Sequence, residues 1–357
     1  MRILIVSRYK KFYPTHQMPF VHEQGEAIAK CIRDMRNDGM SRADALNEPL
    51  ALKDESAVEY FLLRGNHIKA VKELRAKVKE WKPDVIHAHF GLCGMVAVLT
   101  AGKKVPVVTT FHNGETLHWH VNLLSSLFSL RAKHVIYVAQ HVRDLSYFKA
   151  RNYSIIPCGV QMEQMVITPK EEARKQLGWS AERKYILFGG MFHVARKNYK
   201  LLAEAVERLT NEGVSDIVCI EMKGLSRAEC VLRMCACDLF ALPSHSEGSP
   251  QALKEAMVVN CPCLATDIAD VRVLFGDEPG HWILRNPRKT HERWDADERS
   301  LDEMVELLRE ALAFEGRTKG RERILKLELS NEQVAKRLIK IYERVTSERM
   351  KVERLDD

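Results

Sequence analysis

Short unbroken apolar runs alternate along the chain with longer stretches in which apolar residues return every third or fourth position. Runs of the first kind, rich in Val, Ile and Leu and without strict in-and-out alternation, predict strands buried on both faces, as in a parallel sheet. They fall near Arg2–Ser7, Val58–Leu63, Val85–Ala88, Val105–Thr110, His134–Val138 and Tyr153–Ile156 in the first half of the chain. In the second half they fall near Tyr185–Phe188, Ile217–Ile220, Leu239–Leu242, Cys263–Thr266 and Trp282–Leu284. The periodic stretches predict helices. One runs from Asn66 to Lys82, with Ile68, Val71, Leu74, Val78 and Trp81 at helical spacing and basic residues on its other faces. Another is opened by a capping-box pair, Ser330 and Gln333, and sets Val334, Leu338, Ile341 and Val345 on one side. Strand followed by helix, repeated along the chain, predicts a doubly wound α/β fold.

A chain of 357 residues is long for one such domain and sufficient for two. After Gly159 the sequence turns polar, through Glu171 and Glu172 to Arg183, and this stretch is the expected interdomain connection, including a short helix. Composition adds constraints. At 46% hydrophobic and 29% charged residues the chain is globular and soluble in character, and no apolar run approaches the length of a membrane span. The first residues form a strand-length run with no extended apolar region or cleavage site behind it, so no signal peptide is expected. Nine cysteines, scattered without a framework, point to a reducing cytoplasm. Cys235 with Cys237, and Cys261 with Cys263, have tempting spacings, but their apolar settings predict buried thiols and not a metal site.

The formal net charge of +7 is spread out, without the basic stripe and aromatic platforms that nucleic acid requires. Locally, the basic helix from Asn66 to Lys82 suits either a solvated outer face or peripheral contact with an anionic membrane. Arg8, Lys10 and Lys11, interleaved with Tyr9, Phe12 and Tyr13, would suit a lipid-linked acceptor carrying phosphates.

The densest candidate chemistry lies between Ala241 and Met257. Glu247 stands in a Gly/Ser/Pro turn, and Glu255 stands on the helix that follows, two turns along. Pro250 can take the first helical position, where its missing N–H costs nothing. Gly248, Ser249 and Gln251 then offer backbone N–H groups at a helix N-terminus, a natural anion site. A carboxylate beside such a cradle, accepting only, fits sugar or ribose hydroxyls. Upstream, Arg196 and Lys197 follow Gly189 and Gly190 near the start of another helix, where the helix dipole disfavours cations unless something anionic binds.

These segments resemble the retaining glycosyltransferases of family 4. Glu247-Gly248-Ser249-Pro250 through Lys254-Glu255-Ala256-Met257, preceded by Leu242-Pro243-Ser244, is similar to that family's donor-site signature. Residues 263–272, the Gly-rich segment from Phe188 to Asn198, Lys82–His89, Val108–Gly114 and Ile156–Val160 resemble further family segments in the family's order. The likeness spans nearly the whole chain, with residues 34–57 unmatched. It implies the GT-B fold: two facing Rossmann-like domains, residues 1–162 on the acceptor side and 163–329 on the donor side, with a last helix, 330–349, crossing back to complete the first. Such folds bind ligands at the carboxyl ends of their strands.

The implied chemistry is transfer of a sugar from a UDP- or GDP-linked donor to a glycan or lipid-linked saccharide, in cell-surface polysaccharide synthesis, at the inner face of the plasma membrane and without a metal. In that reading Lys197, assisted by Arg196, neutralises the diphosphate, Glu247 holds sugar hydroxyls, and Glu255 accepts from the ribose. Gly248, Ser249 and Pro250 line the sugar and phosphate path, Lys223 approaches the base, and His112 matches the family histidine that meets the donor sugar. Where the family places an arginine just after the Gly-rich strand, this chain has Met191 and Phe192. A nucleotide-sugar 2-epimerase of the same fold, and a non-catalytic relative that kept the fold, stay open as alternatives.

Overall fold

The computed structural model describes residues 1–356 apart from 12, 17, 40–56, 103, 215 and 286–297. Phe12 and most of the unmatched stretch 34–57 therefore lie outside the described residues. The chain forms two units, Met1–Gly159 with the residues from Asn331 onward, and Val160–Ser330.

The first unit is a parallel six-stranded sheet of β1 (Ile3–Arg8), β2 (Val58–Leu63), β3 (Val85–His89), β4 (Val107–Phe111), β5 (His134–Tyr137) and β6 (Tyr153–Ile155), in the order β2-β1-β3-β4-β5-β6. Strand alternation sorts its apolar residues onto two faces. Ile3 and Ile5 enter a core built with α1 (Pro19–Gly39) and the last helix (Asn331–Asp356), which contributes Val334, Leu338, Ile341, Tyr342 and Val345. Leu4 and Val6 enter the opposite core under α2 (His67–Trp81) and α3 (Gly91–Ala101). Next to α3 on the same face lies α4 (Trp119–Ser129), and a short α5 (Gln140–Leu145) leads to β6.

The expected basic helix is α2, capped by Asn66, whose Oδ1 accepts from the N–H groups of Ile68 and Lys69. Ala70 and Leu74 define its buried stripe. Ile68, expected on that stripe, is instead exposed, because the first turn runs beyond the edge of the core it would have to reach.

The second unit repeats the plan. β7 (Lys184–Phe188), β8 (Ile217–Glu221), β9 (Leu239–Leu242), β10 (Cys263–Thr266) and β11 (His281–Leu284) form a parallel sheet in the order β11-β10-β9-β7-β8. Ile186 and Phe188 face one core, Tyr185 and Leu187 the other. The polar stretch expected to connect the domains belongs to this unit, where α6 (Lys170–Leu177) packs on it. Its polarity misleads because Arg174 is buried: the guanidinium donates to Asp238 Oδ2 at 2.7 Å and to the Ala236 carbonyl at 3.0 Å, and Lys170 pairs with Asp238 Oδ1 at 2.6 Å. Cys235, Cys237, Cys261 and Cys263 are buried thiols, with the Cys237 and Cys261 sulfurs 3.4 Å apart.

In both sheets the strand order reverses beside the first strand of the unit, between β1 and β3 and between β7 and β9. Ligands of doubly wound sheets bind outside the carboxyl ends of the strands at such switch points.

Candidate active site

At the switch point of the second unit, the Gly189 N–H donates to the Ala241 carbonyl at 2.8 Å, holding the ends of β7 and β9 together. Beyond β7 the chain makes one 3-10 turn, Ala195–Lys197, passes Asn198 in the left-handed region at φ 57°, and enters α7 (Tyr199–Asn211). Beyond β9 it runs through a loop to Pro250 and α9 (Gln251–Val258). The two loops are stapled: the His245 N–H donates to the Arg196 carbonyl at 2.9 Å, and the Arg196 guanidinium donates to the Ser246 carbonyl.

This staple brings Glu247, Arg196 and Lys197 together. Glu247 Oε1 lies 2.9 Å from Lys197 Nζ and 3.0 Å from the Arg196 guanidinium. Burial by itself would raise the Glu247 carboxyl, but Lys197 and Arg196, with hydrogen bonds from Lys197 and Ser244, outweigh it and hold the group below the usual carboxylate range. The site is therefore a carboxylate sharing two cations. Gly190 makes room for it, since a Cβ there would meet Lys197 Cγ at 2.9 Å: the lysine stem lies directly on the glycine backbone.

Glu255 is buried on α9 and forms an ion pair with Arg227, the first residue of α8 (Arg227–Ala236). Arg227 was not among the sequence candidates. The signal for it was present, because Ser226 and Glu229 spell a capping box, realised here, that fixes a helix start at this arginine. The two glutamates are thus held by different cations.

Ser249 donates to Asp270 Oδ2 at 2.6 Å and accepts from Lys254 Nζ at 3.1 Å, and Lys254 is fully buried. This Lys254–Ser249–Asp270 chain was not among the sequence candidates, where Asp270 figured only within the family-like segment 263–272. Pro250 occupies the cap position of α9, at φ −69° and ψ 107°, one residue before the helix and not in its first turn as expected. Its fixed φ suits either place, and the boundary moves by one. No side-chain hydrogen bond caps this helix. Gly248 is half-buried between Glu247 and Ser249. Lys223 is exposed in the turn after β8, whose end is held against Gly190 by the Met222 N–H to Gly190 carbonyl bond of 3.0 Å.

The switch point of the first unit is built differently. His112 follows β4, and its Nε2 lies 3.1 Å from His89 Nδ1 while its Nδ1 lies 3.7 Å from Cys158 Sγ. His89 packs against His87, ring centroids 4.4 Å apart and planes tilted by 36°. His87 in turn bonds Thr110 Oγ1 at 2.7 Å and the Tyr342 hydroxyl of the last helix at 2.6 Å. Burial first, then the neighbouring imidazoles, hold His87 and His89 well below the usual 6.5, so both are neutral. His89 Nε2 has no partner among the described residues. The arrangement without an orphan N–H puts the His89 proton on Nδ1, donating to His112 Nε2, and the His112 proton on Nδ1 toward the Cys158 sulfur.

Glu115, fully buried, fastens this end of the sheet: its carboxylate accepts from the Gly91 N–H at 2.8 Å and the His112 N–H at 3.0 Å. Between them Phe90 adopts φ 74°, an outlier for a bulky side chain, with its ring against His112 and under the Arg8 guanidinium. Arg8, expected to serve an acceptor phosphate, is half-buried and lies over the Phe90 ring.

Residues 50–164 match the sequence profile of Glycosyltransferase Family 4. The chain is 28% identical over 227 residues to TuaC of Bacillus subtilis, provisionally assigned as a teichuronic acid biosynthesis glycosyltransferase; the match covers 56% of this chain and 57% of that one, so it spans little more than half of the relative. Solved structures match over almost the full length. Sucrose-phosphate synthase from Thermosynechococcus elongatus superposes with a TM-score of 0.71 at 16% identity, covering 97% of this chain and 99% of the other. HepE from Anabaena, solved with UDP and glucose, gives 0.67 at 16% identity, covering 96% and 100%. The fold is that of the GT-B glycosyltransferases. The chain is thus similar to the family 4 glycosyltransferases over residues 50–164 and shares the GT-B fold.

Proposed function

We propose that the protein is a retaining glycosyltransferase that moves a sugar from a nucleoside diphosphate donor to a saccharide or lipid-linked saccharide in cell-surface polysaccharide synthesis, on the cytoplasmic side of the membrane. The observation that carries this reading is the convergence of Arg196 and Lys197 on Glu247 at the switch point of the second unit. Departure of a diphosphate builds negative charge on the leaving oxygen. Two fixed cations beside an uncapped helix N-terminus are suited to meet it, and in a water-poor site each such donor is worth on the order of 3 kcal/mol. This is the work a divalent metal does in other transferases, so transfer is expected to proceed in a chelator.

In the ligand-free protein Glu247 stands where the phosphate charge is needed. The donor diphosphate takes over Arg196 and Lys197, and the released carboxylate accepts from sugar hydroxyls. Glu255 accepts from the ribose once Arg227 shares it, Lys223 serves the base, and Gly248, Ser249 and Pro250 border the path. His112 keeps its sugar-facing role on the resemblance, with its ring oriented by His89. The teichuronic acid relative supports a polysaccharide product, and the UDP complex of HepE makes UDP the first nucleotide to try.

The test is thermal unfolding with UDP, GDP, ADP and CDP, with and without magnesium. At a hundred times its dissociation constant the right nucleotide adds about 2.7 kcal/mol of stability. A selective shift indifferent to magnesium is expected. No shift with any of the four, in folded protein, would overturn the donor site.

A further inference from the structure

Helix α4 is amphipathic in the wrong sense for a soluble protein. The inward face, packed against α3, is Asn122, Ser125, Ser126 and Ser129, all buried, while Trp119, Leu123, Leu124, Leu127 and the following Leu130 are exposed. The exposures run from 37% for Leu123 to 68% for Trp119, so these side chains are uncovered and not merely at a rim.

Packing explains the inner face. A Cβ on Gly91 would meet Ser125 Cβ at 2.2 Å, so α3 and α4 approach too closely for large residues between them. The polar groups of that face are satisfied: Asn122 donates to the Leu145 carbonyl at 2.8 Å and accepts from the Tyr147 N–H at 3.3 Å, and Ser126 and Ser129 bond back to carbonyls of their own helix at 2.6 and 2.7 Å. Nothing in this packing requires leucine outside. Lysine or glutamate would serve the fold as well and keep the surface wet.

The apolar stripe does not end with the helix. The Asn122 bonds hold the loop after α5 alongside, and there Tyr147 and Phe148 are exposed too. Leu130, Tyr147, Phe148, Lys149 and Arg151 line one cavity of about 700 Å³ between helix end and loop. The surrounding charge is predominantly basic. From Leu117 to Tyr153 the basic residues are Arg131, Lys133, Arg143, Lys149 and Arg151, against a single acid, Asp144. On the other side of α3 lies α2, where the exposed Lys69, Lys72, Arg75 and Lys79 outnumber the exposed Glu73 and Glu80.

We propose that this face is a membrane-docking surface: α4 lies in the interface of an anionic bilayer, with its leucines among the acyl chains, the aromatic residues at headgroup level, and the basic residues on lipid phosphates. Leucine, tryptophan and tyrosine beside lysine and arginine are the composition of interfacial helices. A protein partner with an apolar groove would explain the leucines but not the predominantly basic rim. The proposal goes beyond the transfer reaction and does not depend on it, since the surface binds lipid or fails to whatever the chemistry of the site.

The experiment is cosedimentation of the full chain with vesicles of phosphatidylglycerol and phosphatidylcholine, against vesicles of phosphatidylcholine alone. The wild type is expected to bind the anionic vesicles, less at high salt. The double variant Leu123→Ser and Leu127→Ser, whose unfolding midpoint should match the wild type, is expected to bind at least roughly tenfold more weakly. Lys149→Glu with Arg151→Glu should weaken binding by roughly fivefold per charge removed. Wild type left in the supernatant, or a leucine variant that binds as well as wild type, overturns the proposal. So does a dimer that falls to monomer in the leucine variant without any vesicle binding, which would make the face a self-interface. A nucleotide shift measured on the same proteins reports the donor site separately.

Discussion

The two switch points occupy equivalent places in two copies of one topology, yet one is built from neutral rings and the other from paired ions. At β1 and β3 the imidazoles of His87 and His89 are stripped of water and uncharged, and Tyr342 closes the column. At β7 and β9 Glu247 keeps its charge in spite of burial, because Lys197 and Arg196 are within 3.0 Å. Topology therefore fixes where a site can be, and electrostatics decide what it handles. On the proposed reading, the ionic site exchanges its internal anion for a phosphate. The imidazole column is suited to hydrogen bonding and shape, and to little charge.

The strongest way to break this contrast is Lys197→Ala. Loss of one fixed cation should cost roughly a hundred- to a thousandfold in transfer rate with the unfolding midpoint nearly unchanged, read by donor turnover and calorimetry. On the other side, Tyr342→Phe leaves His87 Nδ1 without its 2.6 Å partner in a dry core. It should lower stability by about 1 to 3 kcal/mol in urea unfolding while leaving nucleotide binding alone.

Acid should separate the two kinds of site by window. His134, burial and Arg344 holding it at about 4, accepts from Arg344 on Nδ1 and so donates from Nε2 to Ser154. Its unfolded counterpart titrates near 6.5, so the unfolded state gains protons first, and stability falls as pH drops from 6.5 toward 4. His281 in the second unit, lowered to about 4 by burial, acts in the same sense. Glu247 is depressed instead: its contribution is full above its ordinary 4.5 and is lost only as pH falls through its lower folded value. Urea midpoints between pH 7 and 4 should decline for the wild type and decline less for His134→Gln, with the steeper loss at lower pH retained.

The smallest expected effect is the sharpest. Glu247→Gln removes the carboxylate that competes with the donor for Arg196 and Lys197, so nucleoside diphosphate should bind a few-fold more tightly in calorimetric titration even as transfer falls. Weaker binding would mean that Glu247 organises the cations more than it competes with them.

Much of this was legible in the sequence, and the reasons differ by level. The strands among the described residues lie near the predicted apolar runs, most plainly the central β3, β4 and β9, whose residues are all buried and for which a strand covered on both faces has little other composition open to it. The convergence of Arg196, Lys197 and Glu247 was legible as three candidates in two Gly-rich segments, but their shared oxygen was not, since the staple between His245 and Arg196 joins residues far apart in the chain. Arg227 and the Lys254–Ser249–Asp270 chain were missed for the same reason. Helix α4 was not among the elements expected from the sequence. Its leucines return at helical spacing as a core face would, and only the close approach of Gly91 turns that face outward.

The return of the last helix to the first unit has a consequence for how the protein is made. Ile3 and Ile5 leave the ribosome early, but the residues that cover them, from Val334 to Val345, follow only after the whole of Val160–Ser330. At common synthesis rates that delay is on the order of 10 to 40 s. The unit that begins second can finish first, and the nascent first unit spends the interval with that apolar sheet face covered by α1 alone.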